Sequence, residues 1–208
     1  MILPKFYPIL DTAVALRNGI DPVDAARQIL DAGAQIIQFR HKEFLSREAF
    51  AWLEQIAELA RSAGATLVVN DRADLAKLFN AALHLGQDDL TPWIARRLIG
   101  SDAVVGYSTH NESQLLAATK EPADYLALGP IFGTSTKENP DPTVGLGELR
   151  RLRPLCDRPL VAIGGITRAN ARQVLDAGAD SVAVIGDLFP EDRNIQERTK
   201  KYLSLLTS

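Results

Sequence analysis

The segments DAGAQIIQFR (31–40), SAGATLVVND (62–71) and DAGADSVAVIGD (176–187) share one pattern. Each contains an Ala-Gly-Ala triplet, continues with a short apolar run and ends in polar or glycine residues. Glycine is the usual residue at the end of a helix because it enters the left-handed backbone conformation at little cost. An apolar run without alternation is typical of a strand that is buried on both faces. Each segment therefore predicts the end of a helix followed by a strand of a parallel sheet.

Further strands are predicted at similar intervals along the chain. The eight candidates lie near 6–10, 36–40, 66–70, 82–85, 104–107, 125–128, 160–163 and 181–185. Helical patterns separate them, among them 21–32, 46–63 and 167–177, and strands that alternate with helices pair in parallel. An open α/β sheet usually has a glycine fingerprint after its first strand, whereas DTAVALRNG (11–19) has none. We therefore expect an α/β fold with a single compact (β/α)8 TIM barrel that forms one domain over residues 1–208.

Composition excludes several classes of protein. The chain has 208 residues, of which 46% are hydrophobic and 24% charged, and a net charge of −3, which is typical of globular proteins. No apolar run approaches the roughly 18 residues of a membrane span, and a start interrupted by Pro4, Lys5 and Pro8 does not resemble a secretory signal. The slightly acidic balance argues against a nucleic-acid-binding surface. Cys156 is the only cysteine, which excludes an internal disulfide and a thiolate zinc site. We expect a cytoplasmic protein.

The residues after the second predicted strand suit an anion. In a (β/α)8 barrel the loops after the strands meet at one end and hold the active site. Side chains alternate along a strand, so Gln38, Arg40 and Lys42 face one side while Phe39 and His41 face the other. Two cations and an amide at the barrel mouth are suited to phosphate or diphosphate. Solvated charges at a strand end explain the same residues equally well.

Carboxylates follow the third and fourth predicted strands. Asp71 ends the third, and Asp88 and Asp89 come shortly after the fourth. Two carboxylates from neighbouring strand ends suit Mg²⁺, which takes one or two carboxylates together with substrate phosphate oxygens. The alternative is that Asp71 caps a helix beginning near 73 and Asp88 or Asp89 caps one beginning near 92. A cap is the commoner role for an isolated Asp, but the neighbouring cationic face favours a metal with diphosphate.

The remaining strand ends carry hydroxyl residues and glycines. Ser108 is not in a G-x-S-x-G elbow, which favours a hydrogen-bonding role over a nucleophilic one, and His110 is as plausible at a helix start as in catalysis. GPIFGTSTK (129–137) resembles a phosphate-binding loop but is not a Walker A sequence. Glycines at 164–165 and 186 match the phosphate site that barrels often form after strands seven and eight. Turn glycines without a ligand are the alternative. Thr167 is predicted to cap the helix that follows it.

Seven segments at these strand ends occur in chain order: QFRHK (38–42), VVNDR (68–72), HLGQDD (84–89), VGYSTH (105–110), ADYLALGPIFGTSTK (123–137), AIGGIT (162–167) and GADSVAVIG (178–186). Together they resemble the thiamine-phosphate synthase family over most of the chain. The resemblance implies a (β/α)8 transferase that joins hydroxymethylpyrimidine diphosphate to a thiazole phosphate. The products would be thiamine phosphate and diphosphate, and Mg²⁺ would be the cofactor.

The resemblance also implies roles for individual residues. The pyrimidine diphosphate would be bound by Gln38, Phe39, Arg40, His41, Lys42, Asn70, Ser108 and Lys137. Three of these would take part in catalysis, namely Arg40, Ser108 and Lys137. The thiazole phosphate would be bound by Thr134, Ser135, Thr136, Gly165, Ile185 and Gly186. Mg²⁺ would be held by Asp71 and Asp89.

The chain departs from the family pattern at three places. His41 stands where the family usually has Glu, on the face turned away from the expected substrate. Residues 80–83 read NAAL where the family usually has Ala-Asp-Gly before its first hydrophobic residue. Gly186 stands where the family usually has Ser, which removes a hydroxyl from the expected thiazole phosphate site.

The implied reaction needs no general base. Mg²⁺ and the cations Arg40, Lys42 and Lys137 would neutralise the departing diphosphate, and the thiazole nitrogen would attack the exocyclic carbon of the electron-rich pyrimidine. The nearest alternative is a thiazole phosphate tautomerase on the same fold, which needs neither diphosphate nor metal. A non-catalytic phosphate-binding barrel is a second alternative. The expected partners are small phosphorylated molecules, with no nucleic acid and no membrane, and a homodimer is a possible assembly.

Overall fold

A computed structural model of the chain describes residues 3–134 and 141–207. Eight parallel strands close into a barrel in which each strand pairs with its neighbours in sequence and the eighth pairs with the first. They are β1 (Phe6–Asp11), β2 (Ile36–Arg40), β3 (Thr66–Asn70), β4 (Ala82–Leu85), β5 (Val105–Thr109), β6 (Tyr125–Leu128), β7 (Leu160–Ile163) and β8 (Ser181–Val184). The (β/α)8 barrel predicted from the sequence is confirmed.

Helices surround this barrel. In the described part of the chain they are α1 (Thr12–Arg17), α2 (Pro22–Asp31), α3 (Arg47–Ser62), α4 (Ala73–Leu78), α5 (Pro92–Ile99), α6 (Glu112–Ala118), α7 (Gly145–Leu152), α8 (Ala171–Asp176) and α9 (Ile195–Thr207). Short 3₁₀ turns follow α7 at Arg153–Leu155 and β8 at Gly186–Leu188. None of the helices in residues 3–134 and 141–207 is long and apolar enough to cross a membrane.

The Ala-Gly-Ala triplets form the helix ends that the sequence predicts. Gly33, Gly64 and Gly178 all have positive φ, at 99°, 65° and 108°. The N–H of the alanine after each glycine donates to a carbonyl five residues earlier, as in the bond from Ala65 to Ala60 of 2.9 Å. This bond satisfies a carbonyl that the helix end would otherwise leave without a partner. The chain then enters the next strand directly.

The predicted cap at Thr167 is wrong. Helix α8 begins at Ala171, and the residue before it, Asn170, occupies the cap position. The Oδ1 atom of Asn170 instead accepts a hydrogen bond of 2.8 Å from the N–H of Thr167. Thr167 therefore stays in the loop that follows β7, where it lines the mouth of the barrel.

Alternation along the strands separates two cores. The larger core lies between the barrel and the helices. The smaller core fills the barrel itself and consists of Leu3, Tyr7, Ile9, Ile36, Val68, Ala82, Tyr125, Ala127, Val161 and Ala183. Its two tyrosines fit because small residues lie inward on other strands. A Cβ atom added at Gly106 on β5 would overlap the ring of Tyr125.

Candidate active site

A cavity of about 610 Å³ opens at the carboxyl end of the barrel. Every strand, or the loop that follows it, contributes to its lining, and its volume is that of a small-molecule site. The predicted binding residues that line it are Gln38, Arg40, Lys42, Asn70, Asp71, Asp89, Ser108, Thr134, Gly165, Ile185 and Gly186. Residues far apart in sequence therefore meet at one end of the barrel.

Five further predicted residues are placed elsewhere or are not described. Phe39 is buried between the barrel and the helices. The ring of His41 is hydrogen-bonded to Thr12 Oγ1 at 2.7 Å and to the carbonyl of Phe44 at 3.2 Å. Neither side chain lines the large cavity, in keeping with the alternation along β2. Ser135, Thr136 and Lys137 lie outside the described residues.

Arg40 is oriented by a carboxylate at the end of β1. Its guanidinium forms an ion pair with Asp11 Oδ2. The other oxygen of Asp11 accepts a hydrogen bond of 2.9 Å from the N–H of Val14 and so caps α1. Because one carboxylate both caps a helix and pairs with the guanidinium, Arg40 is held against the barrel wall. Its planar head has five N–H donors, which is more than one carboxylate oxygen can use.

Asp71 and Asp89 lie side by side next to Lys42. Lys42 Nζ pairs with Asp71, while Asp89 Oδ2 accepts a hydrogen bond of 2.7 Å from the N–H of Gly86. The pKa of Asp71 is raised to about 6: burial raises it most, the neighbouring carboxyl of Asp89 also raises it, and Lys42 opposes both. Asp71 has a φ of 63°, an unusual backbone conformation that Asp tolerates better than most residues. The loops after β3 and β4 thus bring two carboxylates beside one lysine.

The alternative in which these carboxylates cap helices is wrong. The cap position of α4 is held by Arg72, which makes no side-chain cap bond. The cap of α5 is Thr91, whose Oγ1 accepts from the N–H of Ile94 at 3.4 Å. The carboxylates of Asp71 and Asp89 are therefore turned toward the cavity and not toward the helices.

A buried amide adds an available donor on the same wall. Asn70 ends β3 and lines the cavity, and its side chain is buried. Its Nδ2 atom has no hydrogen-bond partner among the described residues. Since an unpaired buried donor costs about 1–3 kcal/mol, this amide is suited to a ligand with an acceptor atom.

A chain of hydrogen bonds crosses the barrel beneath the cavity. Gln38 Nε2 donates to the Tyr7 hydroxyl at 3.0 Å, and that hydroxyl is 2.8 Å from the hydroxyl of Tyr125. Tyr125 in turn is 3.0 Å from His84 Nδ1, and His84 Nε2 is 2.8 Å from Ser108 Oγ. Burial lowers the pKa of His84 to about 4, so the ring is neutral near pH 7. The two ends of this chain, Gln38 and Ser108, are residues predicted to bind substrate.

Sequence reasoning missed the three central members of this chain. Tyr7, His84 and Tyr125 carry polar atoms at inward positions of β1, β4 and β6. The available signal was a tyrosine or histidine within an otherwise apolar strand, because a buried polar side chain needs a partner. That signal marks the residue but not its partner.

The opposite wall is built mainly from backbone. Gly164 and Gly165 follow β7 with φ of 99° and 62°. A Cβ atom at Gly165 would lie 2.5 Å from the carbonyl oxygen of Gly133, and the N–H of Phe132 donates to Gly164 at 3.0 Å. These glycines therefore let the loop after β6 pack against the loop after β7. The close packing brings backbone from both loops to the cavity.

An acidic residue on this wall is neutralised by α9. Asp187 follows β8 and lines the cavity. It accepts from the Arg198 guanidinium at 2.8 Å and from the Tyr202 hydroxyl at 2.6 Å, and Arg168 lies 3.6 Å away. Because the carboxylate is paired with arginines, it presents little net charge to an anion near Gly186.

His110 lies between β5 and α6 and is not a helix-start residue. Asn111 caps α6, and its Oδ1 accepts from the N–H of Gln114 at 2.9 Å. The Nδ1 atom of His110 donates to the carbonyl of Gly129 at 2.6 Å, which ties the end of β5 to the loop after β6. The histidine thus joins the two walls of the cavity.

Comparison with known proteins gives a consistent result. Residues 6–188 match the family model of thiamine monophosphate synthase, TMP-TENI. The chain is 45% identical over 212 residues to a thiamine-phosphate synthase of Koribacter versatilis, covering 99% of this chain and 97% of that protein. It is 44% identical over 190 residues to one of Chloroflexus aurantiacus, covering 90% and 86%. A solved thiamine phosphate pyrophosphorylase from Pyrococcus furiosus is 31% identical, with a TM-score of 0.84 over 98% of this chain and 95% of that one.

Proposed function

The chain belongs to the thiamine monophosphate synthase family, whose members are alkyltransferases, and on that premise we propose how its cavity carries out the reaction. The wall formed by β2 to β5 would bind hydroxymethylpyrimidine diphosphate. The glycine-rich wall after β7 and β8 would bind the thiazole phosphate. The supporting observation is the paired carboxylates Asp71 and Asp89, with Lys42, on one side of a cavity whose other side is mainly backbone.

The carboxylates on the wall formed by β2 to β5, here called the carboxylate wall, are suitable ligands for Mg²⁺. Burial disfavours the charge of Asp71, and repulsion from the nearby carboxyl of Asp89 adds to this effect, so the pKa of Asp71 is raised. A divalent cation would relieve this repulsion. Among the described residues no group of three or more His, Cys, Asp or Glu forms a complete metal site, so diphosphate oxygens and water would supply the other ligands. When bound, the ion would neutralise charge on the diphosphate.

The protein's own residues would hold the two substrates in line. Arg40 and Lys137 would neutralise the diphosphate, and Gln38, Asn70 and Ser108 would hold the aminopyrimidine. The bond from the exocyclic carbon to the diphosphate oxygen breaks first, and the thiazole nitrogen then forms its bond to that carbon. The electron pair leaves with the diphosphate and no proton is transferred, so the site needs no general base.

Apolar side chains would keep water from the reacting carbon. Ile9, Ile163 and Ile185 line the cavity. Water at this position would convert the pyrimidine to its alcohol and waste the diphosphate. Excluding water also strengthens the interaction of the diphosphate with nearby cations.

An assay with both substrates tests the proposal. We expect mass-detected thiamine phosphate only when hydroxymethylpyrimidine diphosphate, thiazole phosphate and Mg²⁺ are all present. Binding of the thiazole phosphate without product formation would instead favour the non-catalytic barrel. A tautomerase would turn over its thiazole without the pyrimidine or Mg²⁺, and the carboxylate pair argues against it.

Assembly and location stay predictions. The homodimer and the cytoplasmic location expected from the sequence are proposed here for the whole protein. Sedimentation velocity at micromolar concentration tests the first, and fractionation of cells tests the second. A monomer throughout the concentration range would contradict the homodimer.

A further inference from the structure

We propose that Tyr7, Tyr125 and His84 act as positioning residues that fix the hydrogen-bonding direction of Gln38 and Ser108. In this arrangement Gln38 presents an acceptor to the cavity and Ser108 presents a donor. The inference rests on the proposed function, because it takes the aminopyrimidine to lie between these two residues. It assigns a role in substrate orientation to three side chains beneath the cavity floor.

The chain of hydrogen bonds from Gln38 to Ser108 is continuous across the barrel. Starting from β2, it passes to β1, β6, β4 and β5 through four hydrogen bonds of 2.8 to 3.0 Å. Tyr7 and Tyr125 are each 1% exposed, and His84 is 9% exposed. Water therefore has little access to the central hydroxyl groups, and each must find its partner within the chain.

The donor and acceptor in each of these four hydrogen bonds follow from counting donors. Gln38 Nε2 can only donate, so the Tyr7 oxygen accepts and the hydrogen of Tyr7 goes to Tyr125. The hydrogen of Tyr125 then goes to His84 Nδ1, which leaves the hydrogen of the neutral imidazole on Nε2. That Nε2–H donates to Ser108 Oγ. The hydroxyl hydrogen of Ser108 is left to point at a ligand in the cavity.

The reverse direction is disfavoured. It would make Tyr7 accept from both Gln38 and Tyr125, and the Tyr7 hydrogen would then have no acceptor among the described residues. A buried hydrogen without an acceptor is costly. The chain reverses only if the Gln38 amide turns over so that Oε1 accepts from Tyr7. The donor and acceptor roles of Gln38 and Ser108 are therefore coupled through the three residues between them.

An aminopyrimidine matches the polarity that this direction sets. Its amino group is a donor and suits the Oε1 atom of Gln38, and its ring nitrogens are acceptors and suit the hydroxyl of Ser108. Both groups line the cavity, on β2 and β5. A molecule with the opposite pattern would leave one wall with two donors or two acceptors facing each other.

Packing holds the central rings in place. The rings of His84 and Tyr125 are stacked with centroids 5.6 Å apart, and Tyr7 meets Tyr125 edge-on at 6.1 Å. Burial raises the pKa of both tyrosines, which keeps their hydroxyl groups protonated. The absence of a side chain at Gly106 makes room for the Tyr125 ring. The chain is therefore a rigid, neutral element of the barrel.

The first experiment removes single hydroxyl groups. We expect Tyr7→Phe and Tyr125→Phe to raise KM for hydroxymethylpyrimidine diphosphate about tenfold, the size of one buried hydrogen bond, and to leave KM for the thiazole phosphate unchanged. Thr199→Val is the matched control, because it removes a buried hydroxyl of α9 that has no hydrogen-bond partner among the described residues. Thermal unfolding of each variant shows whether it is folded at the assay temperature.

The second experiment tests direction. The second ligand is a pyrimidine diphosphate analogue with hydrogen in place of the amino group. For the unaltered protein, its dissociation constant should be about tenfold higher than that of the amino compound. In Tyr7→Phe, where Gln38 is no longer oriented, the two should bind about equally. At His84, Gln retains a side-chain N–H for Ser108 and Leu does not, so His84→Gln should keep a lower pyrimidine KM than His84→Leu.

The outcomes separate the inference from the proposed function. Failure of the unaltered protein to form thiamine phosphate would overturn the proposed function. Normal turnover with both KM values unchanged in Tyr7→Phe and Tyr125→Phe would overturn only the positioning role of Tyr7, Tyr125 and His84. An equal rise in both KM values would also overturn it, because it would indicate a general structural role. If Tyr125→Phe is unfolded, the comparisons with Tyr7→Phe and at His84 decide the matter.

Discussion

The two walls of the cavity offer different chemical groups to a ligand. The wall from β2 to β5 is made of charged and polar side chains, including Arg40, Lys42 and Asp71, each held by a partner from another strand. The wall after β7 and β8 is made of backbone at Gly165 and Gly186. Side chains can be removed without moving the barrel, whereas the close backbone contacts cannot be altered without displacing a loop. Substitutions in the first wall should therefore lower mainly activity, whereas substitutions in the second should lower mainly stability.

The largest effect is expected on the carboxylate wall. Asp71→Ala or Lys137→Ala should lower kcat/KM by about a thousandfold, since each removes a group that would stabilise charge on the departing diphosphate. The fold should survive the change at Asp71, because its side chain belongs to neither hydrophobic core of the described residues. Steady-state kinetics with circular dichroism checks both statements. Asp102→Asn, an exposed carboxylate before β5, is the control and should be near normal.

Acid should weaken the fold through the cavity floor. The pKa of His84 is lowered by burial to about 4 from a usual 6.5, so between these values the unfolded chain binds more protons than the folded chain. Stability should therefore fall as pH decreases from 6.5 to 4, by about 3 kcal/mol from this residue. Urea unfolding of the unaltered protein and of His84→Gln across this range measures the difference. Parallel curves for the two proteins would contradict the prediction.

Asp71, which also lines the cavity, has the opposite effect on the pH dependence of stability. The raised pKa of Asp71 means that the folded chain binds more protons than the unfolded chain between about pH 4 and pH 6. Asp71 therefore adds stability as pH falls through this window, and it offsets part of the loss from His84. The comparison with His84→Gln isolates the histidine because both proteins keep Asp71.

Substitution on the backbone wall should affect stability more than chemistry. Gly165→Ala would place a Cβ atom against Gly133 and Phe132 at a positive φ, and we expect a loss of about 2 kcal/mol of unfolding free energy. KM for the thiazole phosphate should rise because the loop after β6 is displaced. Gly147→Ala is the matched control, since the residue lies in α7 and a Cβ atom there has no described atom outside its own helix turn within 4 Å. It should leave stability unchanged or slightly increased. Equal losses in both variants would show that the contact at Gly165 does not matter.

The smallest effect is expected where the chain lacks a hydroxyl. Gly186→Ser supplies the side chain that the family usually has at this position, at the start of the 3₁₀ turn after β8. One added hydrogen bond to the thiazole phosphate should lower its KM about threefold and leave kcat unchanged. An unchanged or higher KM would show that the phosphate is held by other groups.

Local signals predicted the elements of the fold well. The predicted and observed bounds agree for β2 at Ile36–Arg40 and for β3 at Thr66–Asn70. The Ala-Gly-Ala triplets end helices as expected because glycine takes a positive φ wherever it occurs in the chain. The alternation of Gln38, Arg40 and Lys42 toward the cavity was likewise readable, since successive side chains of a strand point to opposite faces.

The partners of these residues were decided by barrel closure. Tyr7 and Tyr125 are 118 positions apart, and only the pairing of β8 with β1 completes the ring that brings β1 and β6 together across the interior. A helix cap was one of two interpretations of Asp71 in the sequence, and in the structure its carboxylate meets Lys42, which follows the neighbouring strand. The sequence by itself determined the strands, the helix ends at the Ala-Gly-Ala triplets and the facing of the side chains at the end of β2, because these depend on backbone preferences over a few residues. Only the tertiary structure decided which polar atoms meet, because that depends on the register and tilt of eight strands at once.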